Sequence, residues 1–244
     1  MRFINKTALC KPLQRRRNNP PQTDIDAKKA WRRFNKEAIR KTCYKQQFGL
    51  CAYTELALND GELGNHLEHI APRSRFPERT FEQTNIILAS MDERFSGLLE
   101  INDRFGGHFK QAVYSDDWFI GPFDPRCELS FIYCDKTGLV LANDTAAKPE
   151  QLKITKTIDT LNLNCDYLVT KRLLELTDLN VLLYTHMEQH ASDLITQRVS
   201  FETLKKKSLD VVGKSLPVFY SAKKQLFERF ETEHFIKNRS PLTT

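Results

Sequence analysis

His66-Leu67-Glu68-His69-Ile70-Ala71-Pro72-Arg73-Ser74 is the stretch on which the reading of this chain turns. Alternating side chains and the apolar Leu67 and Ile70 give a short strand over 65–70, and Pro72 ends it. Neighbouring side chains on a strand point to opposite faces, so Glu68 and His69 diverge unless the strand twists out at its end. A twisted terminus can aim a carboxylate at a metal while the adjacent imidazole faces a scissile phosphate. Phosphodiester hydrolysis around one metal needs a base to activate water, a cation for the leaving oxygen, and a group that orients the base. Histidine titrates near neutrality, which suits the base. Carboxylate, imidazole or amide oxygen suits Mg²⁺ or Mn²⁺. The plainer alternative for a His-x-x-His pair is surface chemistry or a structural metal pair.

Working outward, Gly49-Leu-Cys-Ala-Tyr53 predicts a first strand over 50–54, and Asn85 opens a helix or a further turn before Ile86-Ile87-Leu88. Upstream, Asp24 is the expected N-cap of an amphipathic helix. Ala27, Ala30, Trp31, Phe34, Ala38 and Ile39 form its apolar stripe. Lys28, Lys29, Arg32, Arg33, Lys36 and Arg40 form its basic face, which is either solvated or tracks phosphates. Residues 1–23, with Arg15-Arg16-Arg17 before Asn18-Asn19-Pro20-Pro21, are expected to form a basic arm. Residues 129–142 predict a hairpin around Asp135-Lys-Thr-Gly138. From Lys148 onward the spacing is helical. It predicts a stripe over 152–161, a long helix from Tyr167 to about Arg198 with a break near Asp178, and helices over 201–211 and 217–235. The expected fold class is α+β, mainly helical. The expected divisions are an arm at 1–23, a catalytic domain at 24–145, and a helical, partner-binding region at 146–244.

The chain has 244 residues and a net charge of +6, unevenly spread. Residues 1–48 carry fourteen Lys or Arg against three acids, so that segment is +11 and the rest −5. A basic front on a mildly acidic body points to a polyanion, nucleic acid first, with an acidic protein as the alternative. No cysteine pair is spaced Cys-x-x-Cys, no secretory signal is recognisable, and no apolar stretch reaches a membrane span. A cytoplasmic protein with reduced thiols and no membrane is expected.

Three runs go together: Phe48-Gly-Leu-Cys-Ala-Tyr-Thr-Glu55, Gly64-Asn-His-Leu-Glu-His-Ile-Ala-Pro-Arg-Ser-Arg-Phe-Pro77, and Thr80-Phe-Glu-Gln-Thr-Asn-Ile-Ile-Leu88. They resemble HNH endonucleases with a ββα-metal core. More narrowly they resemble the PtuB family, the HNH nuclease subunits of Septu anti-phage systems and Septu-carrying retrons. Gly121 to Phe131, Asp135 to Gly138, and Leu161 to Arg172 are similar to that group in order and spacing. The resemblance implies a toxic defence endonuclease in which His69 is the general base, Asn85 orients it, and Glu68 is the acidic metal ligand. His66 is a further ligand or packing. The family's third ligand, expected soon after Asn85, is missing from Ala89 to Arg94. His108, in Gly106-Gly-His-Phe-Lys110, is taken as its displaced counterpart, with Asp92 as fallback.

The resemblance further implies a divalent ion, Mg²⁺ or Mn²⁺. Thr54 stands where a second zinc-knuckle cysteine is usual, which puts a structural zinc in doubt. Arg15, Arg16, Arg17, Arg32, Arg33, Arg73 and Arg75 are the candidate nucleic-acid contacts. The implied partners are DNA or RNA (including tRNA), a PtuA-type ATPase subunit and, in the retron-linked variety, a reverse transcriptase with its multicopy single-stranded DNA. Glu68 could instead pair with Arg73, and Asn85 could cap a helix. Two other function classes stand beside the enzyme: a nucleic-acid-binding scaffold whose centre has decayed, and a helical interaction module.

Overall fold

The computed structural model describes residues 1–6, 10–59, 62–190 and 193–236. The chain opens with α1 (Lys11–Arg17), α2 (Asp24–Arg33) and α3 (Glu37–Gln46). The single helix expected across 27–39 is two. Phe34 turns extended, and Asn35 Oδ1 accepts from Glu37 N at 3.0 Å, starting α3 afresh. The N-cap of α2 is Thr23 rather than Asp24; its side chain accepts from Asp26 N. The segment expected to be an arm carries α1 and packs inward: Met1, Ile4, Cys10 and Leu13 are buried. Thr7, Ala8 and Leu9 of that segment lie outside the described residues.

Strands β1 (Asn65–His69) and β2 (Ile86–Ser90) pair antiparallel, with His69 opposite Ile86 and Leu67 opposite Leu88. The second strand is thus 86–90 and not 50–54. Ala52-Tyr53-Thr54 form a turn instead, between Gly49 at φ 70 and Glu55 at φ 60, and only the bridge Leu50–Ala57 is strand-like. Every residue of β2 is buried, which is why Ile-Ile-Leu-Ala reads as a continuous apolar run rather than an alternating one. Its outer edge is capped by a side chain. Gln47 Nε2 donates to Leu88 O and Leu88 N donates to Gln47 Oε1, both at 2.8 Å, so the Gln47 amide imitates a neighbouring strand.

Short helices α4 (Glu93–Ser96), α5 (Gly107–Lys110) and α6 (Cys127–Ser130) lead to the expected hairpin, β3 (Phe131–Tyr133) with β4 (Val140–Ala142). Then come α7 (Lys148–Thr160), α8 (Asp166–Gln189), α9 (Leu194–Leu209) and α10 (Tyr220–Glu231). The 24 residues of α8 run unbroken through Asp178. The break falls later, where Asp193 caps α9 by accepting from Ile195 N and Thr196 N. The last helices also start and stop elsewhere than expected, at 194–209 and 220–231, the latter followed by a π-turn at 232–236.

The protein is therefore α+β and mainly helical, with two small antiparallel sheets. Buried apolar residues from Met1 to Phe235 form one cluster, so the stretches 1–23, 24–145 and 146–236 share a core. Two buried polar groups lock α8 and α10 onto earlier parts of the chain. Glu55 accepts from Ser221 N at 2.7 Å and Ser221 Oγ at 2.6 Å, fixing the start of α10. Arg172 of α8 donates to the carbonyls of Gly138 and Leu163. Among the described residues no helix is long and apolar enough to cross a membrane.

Gly138 sits at φ 72, and a Cβ there would lie 2.5 Å from Val169 O. Gly138→Ala is expected to cost about 2 kcal/mol or more, a fall in Tm of about 6 °C on thermal melting. An unchanged Tm would show that this hairpin-to-α8 contact carries no stability.

Candidate active site

Five residues from the sequence reading meet around β1. His66 and Glu68 share one face, and Leu67 and His69 the other, as strand alternation requires. On the His69 face the ring is buried against Trp31 of α2, edge to face, with ring centroids 4.4 Å apart. His69 Nε2 lies 3.0 Å from Thr80 O. A carbonyl only accepts, so Nε2 carries the proton and Nδ1 keeps its lone pair. Burial pushes the His69 pKa down to about 3, helped by the Arg73 charge, so the ring is neutral at pH 7.

Asn85 is fully buried and closes the 70–85 loop on itself. Its Oδ1 accepts from Ala71 N at 2.6 Å. Its Nδ2 donates to Ala71 O at 3.0 Å and Arg79 O at 3.1 Å. It ends a 3₁₀ turn (Gln83–Asn85) and caps no helix. The side chain bonds the loop beside Thr80, the residue whose carbonyl fixes the His69 tautomer.

On the other face, His66 Nε2 is 3.5 Å from Glu68 Oε2. The rings of His66 and His108, the latter on α5, are 4.4 Å apart. Both imidazoles use one nitrogen on the same acceptor, Met91 O: His66 Nδ1 at 2.6 Å and His108 Nε2 at 3.1 Å. Met91 holds that position at φ 75, a conformation that costs a side-chain-bearing residue on the order of 1 kcal/mol. Fixing His108 Nε2 in this way leaves His108 Nδ1 with a lone pair, while His66 Nε2 faces Glu68 Oε2; carbonyl anchors of this kind orient metal-binding histidines. Burial lowers the His108 pKa, with the neighbouring His66 adding to the shift. Asp92 is not part of this group. Its side chain caps α4 by accepting from Phe95 N at 2.8 Å.

The sequence reading assigned no role to Lys110. Its side chain is wholly buried, and Nζ lies 3.1 Å from Glu68 Oε1 and 3.0 Å from Ile70 O. Glu68 therefore pairs with Lys110 and not with Arg73. Burial alone would raise the Glu68 pKa, but Lys110 and His66 outweigh it and hold the carboxyl at about 2. Gly107 makes room for this carboxylate: a Cβ there would lie 2.4 Å from Glu68 Cδ. The double glycine at 106–107 was the available signal for such close approach. Lysine gives no sequence signal of burial.

Two imidazole nitrogens and one carboxylate oxygen make a donor set suited to a divalent ion, better to Mn²⁺ than to Mg²⁺, which prefers oxygen alone. Among the described residues, no three His, Cys, Asp or Glu groups already stand at the spacing that closes around an ion. Cys51, three residues before Thr54, is buried, and Thr54 Oγ1 lies 3.2 Å from Ser90 Oγ.

The candidate phosphate-binding arginines divide. Arg73 lies 5.6 Å and Lys36 5.3 Å from the centre of the Trp31 ring, so two cations flank the wall of His69. Arg16 and Arg33 line a groove of about 430 Å³ that also reaches Phe81. Arg15, Arg17 and Arg32 are exposed on the same two helices. Arg75 is tied to the backbone, donating to Ala112 O and Tyr114 O at 3.1 Å. No family model matches the chain, and no curated protein matches it.

Asn85→Ala would leave the Ala71 N–H and the Ala71 carbonyl buried without their partner, while Arg79 O keeps the Glu82 N–H. The expected cost is about 3 kcal/mol in urea unfolding. A loss under about 1 kcal/mol would show that the loop holds itself without Asn85.

Proposed function

We propose that this protein is a metal-dependent HNH-type endonuclease with a ββα-metal core, the effector subunit of an anti-phage defence complex. One observation carries the reading. His69 is held neutral, with its Nε2 proton on Thr80 O, at the strand end that enters a loop pinned by Asn85, one residue from a carboxylate beside two oriented imidazoles. A strand, a long loop with an asparagine pin and a second strand are the order expected of such a core, and His108 stands on α5, after the intervening α4.

In this mechanism His69 Nδ1 takes the proton of a water whose oxygen attacks phosphorus, and the bond to the leaving 3′-oxygen breaks. His66, Glu68 and His108 would hold the divalent ion. The chemistry it supplies is charge stabilisation at the phosphorane and at the leaving oxygen. Arg73 and Lys36 attract the phosphate to the Trp31 side of His69, and Arg16 and Arg33 track the backbone beyond it. DNA is the favoured substrate, and structured RNA, tRNA included, is the alternative. The defence role and the partners, a PtuA-type ATPase and a retron reverse transcriptase with its multicopy single-stranded DNA, rest on the family resemblance alone.

A second reading has one observation in its favour. Lys110 already neutralises Glu68, as it would in a centre that has lost its metal and survives as a nucleic-acid-binding scaffold.

Wild-type protein with its ATPase partner should cleave in Mn²⁺, more slowly in Mg²⁺, and not in EDTA. His69→Ala should lower the rate at least about 100-fold. Equal rates in mutant and wild type would remove His69 as the base. No cleavage by either protein in the triggered complex would favour the scaffold. Gly107→Ala gives a separate check, because its methyl displaces the Glu68 carboxylate from its place beside the buried Lys110 ammonium. In protein that far-UV circular dichroism shows to be folded, Mn²⁺ affinity by calorimetry should fall at least about tenfold. Unchanged affinity would place the ion elsewhere.

A further inference from the structure

A groove of about 960 Å³ opens between α3 and the turn at 211–215, where the Val212–Ser215 bridge closes the connection from α9 to α10. It reaches β1 at Asn65, the end of that strand away from His69. Its apolar wall includes the rings of Tyr44 and Phe48, and its rim carries Arg40, Lys41, Lys45 and Lys214. Among the described residues no acidic one lines it.

Phe48 is the unusual member. It sits at φ 51, in the left-handed region that side chains rarely adopt, and yet its side chain is 40% exposed. Its carbonyl accepts from Leu216 N at 3.0 Å, so the 211–216 segment holds the strained position. Arg2 stands 5.2 Å from the centre of the ring. On the rim, Lys41 and Lys45 are one helical turn apart, about 6 Å along the axis, so the positive charge runs as a line. Lys41 pairs with Glu37 at 2.7 Å, but both side chains are largely exposed and the pair is weak. Arg40 is oriented by Asn65 Oδ1 at 2.8 Å.

We propose that this groove binds single-stranded nucleic acid, with bases against Phe48 and Tyr44 and phosphates along Lys41, Lys45 and Lys214. Aromatic surface beside a line of cations is the pattern by which unpaired bases and their backbone are held. A duplex keeps its bases stacked inside and would leave the aromatic wall unused. An acidic peptide would meet the charge but bring no flat π faces. A volume near the upper end for a small-molecule pocket suits several nucleotides of a strand better than one. The site stands without the nuclease reading, because binding is measured where cleavage is blocked.

The test is fluorescence anisotropy of a labelled twelve-residue oligothymidine with the full chain in EDTA. Wild type should bind it at least tenfold more tightly than a duplex of equal length. Phe48→Ala should weaken binding at least fivefold, and Phe48→Tyr should restore it. The surface triple variant Lys41→Gln/Lys45→Gln/Lys214→Gln needs no change in the core. It should weaken binding and make the salt dependence shallower by about 2 in the log–log slope. Either of two results overturns the proposal: oligothymidine binding unchanged in both the triple and the Phe48→Ala variants, or a polyglutamate peptide that competes as well as unlabelled oligothymidine.

Discussion

The amide of Asn85 is the constraint on which the candidate site depends. A loop of sixteen residues separates the strands, 70–85, and its entry and exit must meet for His69 and Ile86 to stay paired. The amide holds them by bonding Ala71 through both its N–H and its carbonyl. The same side chain bonds Arg79 O, one residue before the carbonyl that receives the His69 proton. Loop closure, strand register and the tautomer of His69 are therefore one structural event. A buried amide with all three bonds made stabilises the fold, whereas one left unsatisfied costs several times as much as one bond contributes.

The Glu68 face of β1 is organised by charge. Glu68 sits among Lys110, His66 and His108 and stays ionised because a buried ammonium offsets its desolvation. Lys110 and Gly107 belong to one short helix. One holds the carboxylate and the other leaves space for it, while His108 between them shares the Met91 carbonyl with His66. A strained backbone at Met91 is the kind of feature that persists where its surroundings over-determine it.

Some of this was legible in the sequence. Strand alternation put His66 and Glu68 on one face, Pro72 marked the strand's end, and the displaced Gly-Gly-His run brought His108 next to His66. What escaped notice escaped for physical reasons. Lys110 looks like any surface lysine until tertiary packing buries it. Met91 and Thr80 act through carbonyls, which every residue has. The sequence reading puts the partner strand at 50–54 and a helix or turn at Asn85, whereas the strand is 86–90; both are short apolar runs. The difference turns on non-glycine residues at positive φ, Phe48 and Glu55, which no propensity forecasts. The helix break at 34–36 hid behind a polar residue, Asn35, that can sit in a helix or cap one. The whole chemistry-bearing group comes from residues 31–110, and the later helices act on it through buried contacts such as Glu55 with Ser221.

The most direct test of the metal-centred account is anomalous diffraction from crystals of the protein soaked in Mn²⁺. The account requires a peak bounded by His66, Glu68 and His108, lost in the Glu68→Gln variant. A structure in which Mn²⁺ binds only elsewhere, with the Lys110–Glu68 pair undisturbed, would contradict it.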